Sequence, residues 1–281
     1  MEPIIIRRRP PKQKVNDFLI KYSKNITSQS GEDGILEEIF KLIAEFEKDN
    51  NGNNDNQDRW VAEFGCWDGK HLCNTYNLIT NHGFKGILIE ADSEKYKDLI
   101  ENYKHEIKLG SVVTMNELVG FNDKSNCSLH ALYPNKYNIT KSPQQNDKKL
   151  NNIKDFDQLI DSLNISIPNN KFELIVIDID GNDYHVFDSM IKYRSKVIMI
   201  EFNPTIPNNI ICIQSRDINI QCGSSLLALI ELAKYKNYEL ISTTTYNAIF
   251  VDKYYYQNIF KHRMPTEDNS IYKMHDCPME T

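Results

Sequence analysis

Apolar residues recur along the chain in two rhythms, and their alternation predicts an ordered series of strands and helices. Ile35, Ile39, Leu42, Ile43 and Phe46 fall on one helical stripe, with Ser30 placed to cap it and Glu32 and Asp33 in its first turn. The stripe runs into the polar tract 50–56, which holds nothing a core could bury and is expected to be a mobile loop. Residues 60–64 form a short apolar run closed by Gly65. A helix over 75–81 should stop at Gly83, and residues 86–91 read as a second buried strand. A helix over 94–103 follows, with Tyr96, Leu99, Ile100 and Tyr103 on one stripe, then a strand at 112–119.

Residues 134–152 are polar and carry Pro134 and Pro143, the signature of a long loop or insertion. Beyond a helix at 155–163, the near-continuous apolar runs 172–178 and 197–202 flank a helix at 184–192, as parallel strands covered on both faces would. A helix at 225–236 leads to two last strands, 239–243 and 248–251, around Tyr246-Asn247. They lie too close together for a crossover helix, so one must run antiparallel. The expected fold is therefore α/β: a doubly wound, mostly parallel seven-stranded sheet ending in an antiparallel hairpin. The expected division is a flexible arm over 1–25, one domain over 26–260 with polar insertions near 49–58 and 134–152, and a tail over 261–281.

Composition narrows the functional classes. The 281 residues are 40% hydrophobic and 26% charged, ordinary for a globular protein. A net charge of -6 argues against a nucleic-acid binder that relies on a broad basic face. The one dense basic cluster, Arg7-Arg8-Arg9, reads as a solvated terminus. No run of about 18 apolar residues is present, so neither a membrane span nor a membrane partner is expected, and the expected location is cytoplasmic. Cys66, Cys73, Cys127, Cys212, Cys222 and Cys277 form no C-x-x-C pair and read as reduced thiols.

In open α/β sheets the ligand lies beyond the carboxyl ends of the strands. Those ends are rich in acids: Glu63-Phe64-Gly65-Cys66-Trp67-Asp68-Gly69-Lys70-His71, Glu90-Ala91-Asp92, Asp178-Ile179-Asp180-Gly181-Asn182-Asp183 and Glu201-Phe202-Asn203. A nicotinamide dehydrogenase would carry G-x-G-x-x-G to take a pyrophosphate, but only Gly65 and Gly69 are present, with Glu63 before them and Asp68 between. These carboxylates suit a ligand bearing ammonium and sulfonium groups. Glu90, 27 residues beyond Glu63, stands where an acid accepts from both ribose hydroxyls. Together these features resemble class I S-adenosylmethionine-dependent methyltransferases, whose sheet also ends in an antiparallel hairpin. Within that class the chain resembles the FkbM-like group over roughly residues 26–255, through Ser28-Gln29…Glu32-Asp33, Glu63-Phe64-Gly65…Asp68-Gly69, Ile177–Tyr184, Glu201-Phe202-Asn203-Pro204 and Gly223-Ser224-Ser225-Leu226. The resemblance implies methyl transfer to a hydroxyl oxygen of a sugar or other small metabolite. It implies a donor site of Gln29, Glu63, Gly65, Asp68, Gly69, Glu90 and Asp92. Many FkbM-type sequences have a Lys and a Glu where this chain has Asp178 and Asp180, so the acceptor and base assignments do not carry over.

Catechol-type O-methyltransferases hold Mg²⁺ with an acid after the fourth strand and an acid plus an Asn after the fifth. Asp178, Asp180, Glu201 and Asn203 offer a similar set of hard oxygen ligands. A metal there would lower the pKa of an acceptor hydroxyl. Without a metal, Asp178 or Asp180 would cap the next helix or act as base, and His71 and His185 are further candidate bases. Trp67 and Tyr184 could flank adenine or acceptor, or belong to the core. A catalytically silent methyltransferase-like binding domain is the alternative from another functional class.

Overall fold

The computed structural model describes residues 4–7, 18–51, 58–121 and 153–264. The expected loop at 134–152 and most of the tract at 49–58 lie outside the described residues. Strand β1 (Ile4–Arg7) is followed by α1 (Glu32–Asn51), β2 (Trp60–Phe64), α2 (Tyr76–His82), β3 (Lys85–Ile89), α3 (Ser93–Asn102), α4 (Lys104–Leu109) and β4 (Val112–Met115). Then come α5 (Phe156–Ser162), β5 (Lys171–Ile177), α6 (Asp183–Ser189), β6 (Arg194–Glu201), β7 (Ile210–Ile213), α7 (Leu226–Tyr235), β8 (Tyr238–Thr243) and β9 (Asn247–Asp252).

Seven strands form one sheet in the order β4-β3-β2-β5-β6-β9-β8. The pairings from β4 through β6 are parallel, and β9 lies antiparallel between β6 and β8. This is the doubly wound, mostly parallel seven-stranded sheet with an antiparallel end that the alternation of elements predicts. Side-chain alternation divides the core. Phe172, Ile175 and Ile177 of β5 pack with Phe156, Phe187 and Leu229 on one face. Leu174 and Val176 pack with Ile35, Ile39 and Leu78 on the other. Both faces of the central strands are covered, which is why their sequences read as unbroken apolar runs.

Five local expectations change. The α1 cap is Ser28, whose hydroxyl accepts from the Asp33 N–H at 3.1 Å, rather than Ser30. The expected strand at 112–119 stops at Met115, and the expected helix at 94–103 is followed directly by a second short one, α4. Ile100 is exposed, so Leu99 and Tyr103 carry the buried stripe. The segment assigned to an N-terminal arm contributes a strand, because β1 pairs antiparallel with β7, whose 203–224 region is an insertion between β6 and α7. Gly83 does end α2, at φ 71°.

Candidate functional site

The carboxyl ends of β2 and β3 build the first half of the rim. Gly65 has φ 70°, and a Cβ there would lie 1.8 Å from the Asp178 carbonyl oxygen, so only glycine lets the loop leave β2 beside β5. Glu63 is buried, and its carboxylate gathers the far end of that loop. It accepts from the Cys73 thiol at 2.9 Å, the Asn74 N–H at 3.0 Å, the Thr75 N–H at 3.1 Å and the Thr75 hydroxyl at 2.5 Å. Thr75 therefore makes no side-chain cap on α2. Glu90 ties the near end to β3, accepting from the Trp67 N–H at 2.8 Å and the Asp92 N–H at 2.7 Å. Asp68 closes a turn inside the loop, with Lys70 N–H at 2.9 Å and His71 N–H at 2.7 Å on one oxygen. Asp92 caps α3 through the Glu94 and Lys95 N–H groups, and these bonds hold its carboxyl below the usual range.

The segment before α1 borders this loop. One oxygen of Asp33 accepts from the N–H groups of Ile26, Thr27 and Ser28, and the Thr27 hydroxyl donates to the Cys73 carbonyl at 3.0 Å. Buried Glu32 reaches the other way, accepting from the Thr244 hydroxyl at 2.6 Å and the Asn247 amide at 3.3 Å. The segment thus spans from the β2 loop to the β8–β9 turn, with Gln29 exposed between these anchors.

The ends of β5 and β6 build the second half. Asp178, Asp180 and Glu201 each bring a carboxylate oxygen within 4.8 Å of the others. Burial and the facing Glu201 carboxylate push Asp178 well above the usual carboxylate range. Burial first, then Asp183 and Asp180, raise Glu201 to about 8. Asp183 lies behind them, fully buried, and accepts from the Ile179 and Gly181 N–H groups at 2.9 Å each. Those bonds partly offset the burial that raises it to about 6. Asp180 itself sits at φ 56°, a conformation Asp tolerates at modest cost.

Several candidates lie elsewhere. Asn203 is no ligand as it stands: its amide oxygen accepts from the Thr205 N–H and hydroxyl, and its amide nitrogen donates to the Cys222 carbonyl at 2.7 Å. Its type matched the expected set, but the Asx turn after β6 consumes it. His185 is 5% exposed and donates through Nε2 to the Gln214 carbonyl at 2.7 Å, and burial lowers it to about 4. It is a neutral, engaged imidazole rather than an open base on the rim. His71 is exposed in the glycine loop, where its N–H donates to Asp68. Tyr184 is buried against His185, whereas Trp67 is 49% exposed at φ 54° beside Lys95. Sequence reasoning missed Asp183 as the organiser of the β5 loop, and it missed Cys73, Asn74 and Thr75 as the partners of Glu63. The acid at the first turn of a helix was a legible signal for the former.

No protein-family model matches the chain, and no curated protein matches it. Among solved structures it is similar to M. capricolum TrmK in complex with S-adenosyl-homocysteine, at 12% identity and a TM-score of 0.37 over 70% of this chain, which spans 63% of TrmK. A SAM dependent methyltransferase from Aquifex aeolicus gives 9% identity and a TM-score of 0.37 over 76% of this chain and 87% of that one. The [4+2]-cyclase SpnF gives 10% identity and a TM-score of 0.36 over 78% of this chain and 63% of that one. Likenesses at this level say nothing of what this chain does.

Proposed function

We propose that the chain is an S-adenosylmethionine-dependent methyltransferase, akin to the FkbM-like group, that methylates a hydroxyl oxygen of a sugar or other small metabolite. One observation carries the reading. Glu90 at the end of β3 ties down a glycine loop that lacks a dinucleotide fingerprint, and a separate set of carboxylates stands on the neighbouring strand ends. The first half suits a nucleoside whose ribose diol meets Glu90. The second half suits the acceptor. As the acceptor oxygen bonds to the methyl carbon and the carbon–sulfur bond breaks, the sulfonium becomes a neutral thioether and the hydroxyl proton must leave. Glu201 and Asp178 are raised carboxylates within 4.8 Å of each other, and the ionised form of either takes that proton more strongly than an ordinary carboxylate would.

The same three acids fit a Mg²⁺ ion, since each supplies a hard oxygen and their mutual repulsion favours a cation. Asp178, Asp180 and Glu201 would hold it, without Asn203. When bound, it would lower the pKa of the acceptor hydroxyl. The test is transfer of a labelled methyl group to a panel of sugars and phenols, before and after chelation, with Mg²⁺ added back. Turnover that collapses in EDTA and returns with Mg²⁺ supports the metal. Full activity in EDTA removes the metal and leaves the methyltransferase reading. Binding of S-adenosylhomocysteine with no turnover on any acceptor favours a silent domain.

A further inference from the structure

The two ends of the glycine loop differ in what they leave for a ligand. A carboxylate has about four acceptor positions. On Glu63, Oε2 accepts from the Cys73 thiol, the Thr75 N–H and the Thr75 hydroxyl, and Oε1 accepts from the Asn74 N–H. Glu63 therefore holds the loop in shape: its Oε2 is crowded by three donors, and its Oε1, which accepts from the Asn74 N–H, keeps at most one position. Beside it stands an acceptor in the opposite condition. Asn74 is 3% exposed, its backbone is pinned by Glu63, and its amide oxygen Oδ1 is buried without any hydrogen-bond partner. Such an orphan is uncommon in a folded protein and marks a place where a donor belongs.

We infer that Asn74 Oδ1, rather than Glu63, receives the ammonium group of the methyl donor's amino-acid end. The inference rests on the methyltransferase reading above. An ammonium offers three donors and no acceptor, so an unpaired amide oxygen complements it. A neutral acceptor also avoids setting a second negative charge against the buried Glu63. Glu63 is in this account a positioning residue that fixes Asn74 through its main-chain N–H.

Calorimetric titration separates the roles. Wild-type protein is titrated with S-adenosylhomocysteine and with its deaminated analogue, and Asn74→Ala with the same pair. Wild type should prefer the amino form by about tenfold, and Asn74→Ala should bind both alike, since the ammonium has then lost its acceptor. A structural role for Asn74 would weaken both ligands equally and keep the preference. That result, or the absence of any preference in wild type, overturns the inference. Should Asn74→Ala fail to fold, Asn74→Leu, of nearly the same size, is read in the same way. A wild-type protein that binds neither ligand instead overturns the methyltransferase reading and the inference with it.

Discussion

The two halves of the rim are built on opposite principles. At the ends of β2 and β3, Glu63 and Glu90 are surrounded by N–H, O–H and S–H donors. At the ends of β5 and β6, Asp178, Asp180 and Glu201 face one another within 4.8 Å, and two of them are pushed toward protonation. The first half uses its charges to fix a loop. The second concentrates charge that only a proton, a cation or a ligand donor relieves. The difference teaches that an acid at a strand end has no single meaning, because its partners decide whether it is scaffold or reagent.

Glu63→Ala and Glu201→Gln test that contrast with the largest effect. Loss of the Glu63 carboxylate strands buried donors and should lower stability by about 3–5 kcal/mol, a fall in Tm of about 10 °C. Glu201→Gln removes a crowded charge and should leave Tm unchanged or higher. Similar losses in both, measured by calorimetry at pH 8.5, where Glu201 is mostly ionised, would erase the distinction.

Glu90 stands between the two behaviours, since each of its oxygens accepts one hydrogen bond and has room for another. Glu90→Ala should weaken S-adenosylhomocysteine binding by roughly 1.5–3 kcal/mol, the range for a hydrogen bond to a charged group. Unchanged affinity in a folded variant removes Glu90 from the donor site.

The pH dependence is smaller. Glu201 is raised from 4.5 to about 8 and Asp183 from 3.8 to about 6, so over those ranges the folded chain holds protons the unfolded chain has released. Their contribution is complete at low pH and lost as pH rises through the folded values. His185 is lowered from 6.5 to about 4 and acts in the opposite direction, its contribution being lost as pH falls below 6.5. Above pH 6.5 only the acids act. In EDTA, Tm should therefore fall from pH 6.5 to 8.5, by no more than about 2–4 °C per pH unit given partial solvent screening. Mg²⁺ should flatten that slope if the three acids bind it. A flat profile in EDTA would show that the cluster is not crowded in solution.

Much of the fold was legible in the chain. Unbroken apolar runs at β5 and β6 marked strands covered on both faces, and the short gap between β8 and β9 forced the antiparallel end. The small β1–β7 sheet was not legible, because pairing across some 200 residues leaves no local period. At the site, sequence located Glu63, Glu90, Asp178, Asp180 and Glu201 on the rim but could not apportion their partners. Asn203 has the right chemistry and is spent on its own turn, and His185 has the right type and is spent on Gln214. Asn74 gave no signal of a binding role in the sequence, because an unpaired oxygen exists only once the surrounding donors have been placed.

The central question is whether the loop between β2 and α2 holds a methyl-donor nucleoside. Thermal unfolding of the wild-type protein with S-adenosylhomocysteine, and separately with NAD, reads this directly. At about 100 times its dissociation constant, S-adenosylhomocysteine should add roughly 2.7 kcal/mol, a rise in Tm of about 5–10 °C, while NAD at the same concentration adds nothing. Stabilisation by NAD and none by S-adenosylhomocysteine would contradict the methyltransferase reading.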